Sequence, residues 1–498
     1  MTRASSPTAV QLIAYADRLG GSIPGLARLL RGPLAGVVDG VHVLPFFTPF
    51  DGADAGFDPV DHAAVDPRLG TWDDVRDLAS THTVMADLIV NHVSADSAEF
   101  RDVVARGDAS PYAGMFLTMS DVYPDGADEH ELVGIYRPRP GLPFTPMTLG
   151  GAKRLVWTTF TPQQIDVNVD SPAGREHLDH VLDALVGGGV RMLRLDAVGY
   201  AVKHAGTSSF MTEHTFAFID RLTAQARERG ADVLVEIHAH YRRQIAVAER
   251  VDLVYDFALP PLVLHALYTG DGDALRHWLE IRPANAVTVL DTHDGIGVID
   301  VGADQMGDHA PGLLEPDQVD ALVEGIHTRS GDESRRASGW AASNLDIYQV
   351  NCTYYSALGC DDDAYLLARA IQVFTPGIAQ VYYVGLLAGA NDMELLDRTG
   401  VGRDINRHHY TDEEVSAALD RPVVAAQLAL LRLRSHRAFT GACSVAGEGS
   451  RLVLTWRAGE HSAELDADLS EHTARVRVSA PEGHRSCDRL LDVGTLLG

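Results

Sequence analysis

The chain has 498 residues, 46% of them hydrophobic, several times the size at which a core sustains itself, which excludes a disordered segment and a small disulfide-stapled scaffold. With 41 Lys+Arg against 69 Asp+Glu the formal net charge is −28, so polyanions are repelled. Nucleic acid and anionic membrane are therefore excluded as partners, and any phosphate has to be gripped by a local basic pocket.

At the amino end, residues 10–16 are apolar but broken by Gln11 and followed by Asp17 and Arg18, so no signal-peptide core is expected. Beyond this point one pattern recurs: an amphipathic helical stretch ends in glycine, and a short β-branched run follows that ends in a polar residue. Ser171-Pro172 starts one such helix, and Phe218, Ile219, Leu222 and Ala226 form the apolar stripe of another, which Gly230 stops before VLVEI. The strands predicted this way cover residues 10–14, 41–45, 84–90, 190–195, 233–237, 253–257, 286–290 and 379–384. Eight parallel strands alternating with helices predict an α/β fold, a (β/α)8 TIM barrel.

Two intervals, between the third and fourth strands and between the seventh and eighth, are too long for one crossover helix, so each is read as an inserted subdomain. The first carries YRPRPGLPF, stiffened by its prolines, and the second a polar run over residues 331–351. The uncharged stretch over residues 370–391 is interrupted by Pro376-Gly377 and carries Gln372 and Gln380, which predicts a helix end, a turn and a buried strand, not a membrane span. After about residue 439 the pattern alternates with period two, as in RLVLTW and ARVRV, and predicts a small antiparallel β domain. The expected division is residues 1–89, 171–295 and 360–439 for the barrel, 90–170 and 296–359 for the insertions, and 440–498 for the carboxyl-terminal domain. Cys352, Cys360, Cys443 and Cys487 show no metal or redox spacing, and a reduced cytoplasmic protein is the simplest reading.

Residues at the carboxyl ends of barrel strands face the active-site mouth. Here they are His92, Arg194 with Asp196, Glu236, and His293 with Asp294. Any one acid after a strand reads as a helix cap, but three on one face flanked by Arg and His do not. Arg194 and Asp196 lie two apart on one strand and so share a face, where the guanidinium is expected to keep Asp196 ionised as a nucleophile. Glu236 follows an apolar run, expected to raise its carboxyl toward a general acid. Two carboxyls with opposed environments are what glycosidic cleavage with retention requires. A competing metal reading, from the E-x-H-x-H string of Glu236, His238 and His240, is weakened because His240 is expected in the loop beyond the strand. His408 and His409 read as exposed loop histidines.

ADLIVNH, LRLDA, VEIH and TVLDTHDG resemble, in order, the four short motifs of the α-amylase superfamily. VHVLPFFTPFDGADAGFDP, YRPRPGLPF, DFALPPLVLHAL, SNLDIYQVNCTYYSALG and GRDINRH extend the likeness to the sucrose phosphorylases over nearly the whole chain. The resemblance implies Asp196 as covalent nucleophile, Glu236 as acid/base and Asp294 as transition-state stabiliser. It places Asp54 and Arg403 on the distal hydroxyls of a glucosyl ring, with His92, Arg194 and His293 around it and Phe57 and Tyr200 as apolar walls. A mobile loop is implied to offer Asp346 and Gln349 to fructose, and Tyr348, with Arg139, to phosphate. Asn91 occupies the position of a calcium ligand in many amylases, yet the resemblance implies no metal and no cofactor. Ile347, Cys352 and the carboxyl-terminal domain depart from the pattern, which touches acceptor fit and assembly. The implied activity is a glycosyltransferase reaction, reversible phosphorolysis of sucrose to α-D-glucose 1-phosphate and fructose, with a homodimer as the implied assembly. Phosphorolysis of sucrose 6'-phosphate or glucosylglycerate is the sibling alternative, and a silent barrel acting as a binding or scaffold protein is disfavoured by the three acids.

Overall fold

The computed structural model describes residues 9–52, 54–137, 141–304, 309–338 and 349–497. Eight parallel strands form a closed barrel: β1 (Val10–Ala14), β2 (Gly40–Val43), β3 (Thr83–Ile89), β4 (Met192–Asp196), β5 (Asp232–Val235), β6 (Leu253–Asp256), β7 (Ala286–Thr288) and β8 (Ile378–Tyr382). Each pairs with its neighbours in chain order, and β8 closes on β1 through Val10↔Ala379 to Ile13↔Tyr382. Helices cover the outside and side chains fill the inside, so both faces of every strand are buried and the strands read as apolar runs rather than as alternation. The interior also holds a polar layer in which Gln380 donates to Gln11 at 3.0 Å and accepts from the Tyr255 hydroxyl at 2.8 Å, so its buried amides are satisfied.

Local chemistry sets the helix boundaries. Ser171 caps Pro172–Gly187 by accepting from the Gly174 N–H, and Thr71 with Asp74 forms a capping box on Trp72–Ala79. In Glu213–Glu228 the predicted stripe of Phe218, Ile219, Leu222 and Ala226 is buried against the barrel. The uncharged stretch forms the end of a helix (Asp362–Phe374), a turn at Pro376-Gly377 and β8, as predicted. No helix among the described residues is long and apolar enough to cross a membrane.

After β3 the chain leaves the barrel through His92–Ser94, which pairs antiparallel with Gln164–Asp166 on the way back, so His92 lies opposite Asp166. Between them a hairpin, Phe144–Leu149 with Ala152–Trp157, encloses a small core of Leu117, Tyr123, Ile135 and Trp157. After β7 a second excursion begins with Ile296–Gly297, which pairs with Gln349–Val350 and sets Gln349 beside the barrel mouth. At the carboxyl end five antiparallel strands form a sheet. Its inner residues, among them Leu452, Leu454, Trp456, Ala474, Val476 and Val478, join the barrel's own apolar cluster. Trp456 Nε1 donates to the Phe374 carbonyl at 2.7 Å, and the Arg434 guanidinium lies 4.8 Å from the rings of both Phe439 and Trp456, so this sheet is welded to the barrel's outer layer.

Gly377 closes the barrel. Its φ is +113°, and a Cβ there would lie 2.1 Å from the Ala286 carbonyl oxygen of the neighbouring strand. Gly377→Ala is therefore expected to cost more than about 1 kcal/mol, read as a lowered midpoint of thermal unfolding, whereas alanine at the exposed Gly36 or Gly400, where a Cβ meets nothing within 4 Å, incurs only the backbone strain of a positive φ.

Candidate active site

The carboxyl ends of the strands converge on a cavity of about 540 Å³. Asp54, Phe57, His92, Asp196, Tyr200, Glu236, His293, Asp294, Gln349 and Arg403 all line it, and Arg194 lies buried beneath its carboxylates. Of the residues singled out by sequence, Arg139, Asp346 and Tyr348, together with Ile347, lie outside the described residues.

Arg194 organises the floor. Its guanidinium contacts Asp87 at 2.5 Å, Asp196 at 3.0 Å and Glu236 at 2.9 Å, so one cation joins the ends of β3, β4 and β5. The register pairs Arg194 directly with Asp87, and His42 Nε2 on β2 meets the other Asp87 oxygen at 3.0 Å. Although burial alone would raise it, His42 and Arg194 hold the Asp87 carboxyl well below the usual range. Neither Asp87 nor His42 is among the sequence-predicted residues. The available signal is an acid in the middle of the apolar run VMADLIV, which has to be paired to be buried.

This sharing corrects the expected electrostatics. Burial, opposed by Arg194 and reinforced by the charges of Glu236, Asp87 and Asp294, pushes the Asp196 carboxyl well above its ordinary value. Glu236 does not lie in an apolar niche: β5 ends at Val235, and Glu236 sits against the guanidinium with His238 Nε2 at 4.0 Å. Arg194 thus does not keep Asp196 ionised by itself. It serves two active-site carboxyls at once.

Asp294 has the opposite setting. Burial works against its charge, but Arg403 at 2.9 Å, with His293, Arg407 and Arg194, holds the carboxyl far below the normal range. Arg403 also reaches Asp54 at 3.9 Å, so the expected Asp54–Arg403 pair exists but is the looser of that arginine's two contacts. Arg407, absent from the sequence reading, donates from Nε to the His293 carbonyl at 3.0 Å and fixes the turn that carries Asp294. The His293 ring stacks on Phe57 with centroids 4.9 Å apart, and burial lowers its pKa to about 3, so it is neutral.

On the opposite wall Tyr200 packs with Phe160 and Phe210, and the His92 ring meets Phe160 edge-on. Gln164 donates to Asp54 at 3.4 Å and links the first insertion to the closed end of the cavity. Gln349 Nε2 donates to His238 Nε2 at 3.2 Å, and His238 Nδ1 donates to Asp300 at 3.0 Å. Glu236, His238 and Asp294 each bring a potential ligand atom within 4.8 Å of the others, but Arg194 and Arg403 already neutralise the two acids, a poor setting for a cation. His240 stands just before the next helix and contacts the Pro311 carbonyl, away from that cluster. His408 is not a free loop residue, since its Nδ1 meets Asp392 at 2.6 Å; His409 is exposed.

Residues 36–250 match the α-amylase catalytic-domain model. The chain is 58% identical over 474 residues to a sucrose phosphorylase of Agrobacterium vitis, covering 94% of this chain and 97% of that one. It is 56% identical over 459 residues to a sucrose phosphorylase of Bifidobacterium adolescentis, covering 92% and 91%. The crystal structure of sucrose 6F-phosphate phosphorylase from Thermoanaerobacter thermosaccharolyticum superposes with a TM-score of 0.90 at 37% identity, over 98% of this chain and 99% of that one. The chain belongs to the sucrose phosphorylase family of the α-amylase superfamily.

Proposed function

We propose that the protein catalyses the reversible phosphorolysis of sucrose, giving α-D-glucose 1-phosphate and fructose by two displacements through a glucosyl ester on Asp196. The observation that carries this reading is the shared guanidinium: Arg194 holds a nucleophile candidate and an acid candidate at 3.0 and 2.9 Å on one face of the cavity. The reaction needs Glu236 protonated beside the glycosidic oxygen and Asp196 as the anion. Asp196 attacks the anomeric carbon, the bond to the fructosyl oxygen breaks with its electron pair, and Glu236 protonates that oxygen. Phosphate then attacks the same carbon from the side fructose left, Glu236 takes up the proton that phosphate gives up, and Asp196 departs. Two inversions leave the α configuration. Asp294, kept ionised by Arg403, faces the positive charge that develops on the ring in both steps.

The Asp54–Arg403 side of the cavity suits one glucosyl unit, with His92, His293, Phe57 and Tyr200 around it. Arg139 and Tyr348 are assigned to phosphate, and Asp346 and Gln349 to fructose, on resemblance. A local arginine is needed because a net charge of −28 opposes a dianion. Acceptor choice follows the family members of higher identity, which are sucrose phosphorylases at 58% and 56% against 37% for the sucrose 6F-phosphate enzyme. A cytoplasmic homodimer belongs to the same reading.

Incubation with sucrose and phosphate is expected to release glucose 1-phosphate and fructose, with sucrose 6'-phosphate a poor donor; the reverse preference would replace sucrose by its phosphate. Asp196→Asn should abolish turnover. Glu236→Gln should slow cleavage of sucrose by about 10²- to 10⁴-fold. Mass spectrometry of a quenched Glu236→Gln reaction should find the glucosyl label on the peptide containing Asp196, and a label elsewhere defeats the assignment. Arg139→Ala should weaken phosphate capture by about ten- to a hundredfold while sparing hydrolysis of sucrose, since water needs no arginine. Equal losses in both reactions would remove Arg139 from the phosphate site.

A further inference from the structure

A fully buried lysine lies just outside the cavity. Lys203 Nζ donates to Asn91 Oδ1 at 2.6 Å, to the Tyr200 carbonyl at 2.5 Å, and to Asp166 Oδ2 at 2.5 Å. Its three acceptors come from the end of β3, from the loop after β4 and from the returning strand of the first insertion. An ammonium has three N–H donors and no acceptor, so all of its capacity is used. For the same reason the oxygen of the Asn91 amide must face Lys203, which turns the amide nitrogen toward the neighbouring ring: Asn91 Nδ2 lies 3.3 Å from His92 Nδ1.

That orientation decides a contest at His92. The Nε2 atom has two neighbours with opposite demands. The Phe57 carbonyl at 2.9 Å requires a proton on Nε2, whereas the amide nitrogen of Gln164 at 3.1 Å requires a lone pair there. The Gln164 amide cannot turn to relieve this without losing Asp54, which accepts from its nitrogen. The tautomer is therefore set at the other nitrogen. With an N–H of Asn91 aimed at it, Nδ1 must accept, and the proton goes to Nε2. Burial lowers the basicity of the ring, so the doubly protonated form does not remove the choice.

We propose that Lys203 is a positioning residue that fixes the His92 tautomer through Asn91, and with it the Nε2–H that holds the Phe57 carbonyl at the wall of the sugar pocket. The link to sugar rests on the reading above that His92 faces the glucosyl ring. The same ammonium holds the Tyr200 carbonyl and the insertion strand in place, so one buried charge sets two walls of the cavity.

Replacing Lys203 by methionine removes the donor that faces the Asn91 oxygen and leaves the Asp166 oxygens, which accept from Thr159, as acceptors toward the Asn91 nitrogen. The Asn91 oxygen then faces His92, the proton moves to Nδ1, and Gln164 donates to Nε2. Long-range proton–nitrogen spectra of ¹⁵N-histidine-labelled full-length protein, with His92→Gln to assign the signal, should show the proton on Nε2 in the native chain and on Nδ1 in Lys203→Met. Sucrose KM should rise by about tenfold, the worth of one mis-set hydrogen bond to a buried group. The double variant Lys203→Met with Asp166→Asn should return the Nε2 tautomer and most of the affinity, because the amide introduced in place of the Asp166 carboxylate can donate to the Asn91 oxygen. Asn91→Asp keeps Lys203 and should also force the proton to Nδ1, which preserves the test if Lys203→Met does not fold. An unshifted His92 tautomer in Lys203→Met or in Asn91→Asp overturns the proposal. A shifted tautomer with unchanged sucrose KM supports the positioning role and overturns instead the contact of His92 with sugar.

Discussion

The site depends on a single buried guanidinium. Arg194 is 2% exposed and touches three carboxylates on three adjacent strands. Burying any one of these charges alone would be costly, and burying them together is possible only with all partners present. Asp87, with His42 on its other oxygen, takes one of the arginine's contacts, so the other two carboxyls share the guanidinium with a third acid. Asp196 and Glu236 are brought to the same cation from two adjacent strands.

Around this floor the barrel supplies rigidity and the insertions supply shape. Strand ends give carboxylates at set spacings but leave the mouth open to water. The first insertion returns through Gln164–Asp166, tied to His92, and brings Gln164 to Asp54, while the second places Gln349 against His238. The Arg403–Asp294 contact ties the short helical turn Gly402–Asn406 to the loop after β7. The Asp54–Arg403 contact at that end is the feature on which the proposed restriction to one terminal sugar rests.

The electrostatics of the two acids show how far local reasoning reaches. Arg194 beside Asp196 is a true neighbour relation, and the strand spacing of two put both on one face. What the spacing does not contain is the number of other acids that claim the same arginine. Asp87 and Glu236 are distant in sequence from Arg194 and from each other, and they meet only because the barrel closes with Arg194 in register with Asp87. Arg407 and His42 escaped notice for the same reason, since each acts on a residue of another element through a single contact.

The sequence by itself determined the eight strands, their order, the two excursions and the carboxyl-terminal sheet, because hydrophobic period, glycine stops and caps are local properties that one stretch of chain expresses without its partners. It also determined which acids stand at strand ends, since a barrel places such positions at its mouth whatever surrounds them. Only the tertiary structure decided who shares a charge with whom. Lys203 bonds oxygens from Asn91, Asp166 and Tyr200, and Arg194 joins three strands. The protonation of a buried group depends on the sum of all charges and dipoles around it, a sum that has no value until the chain has folded.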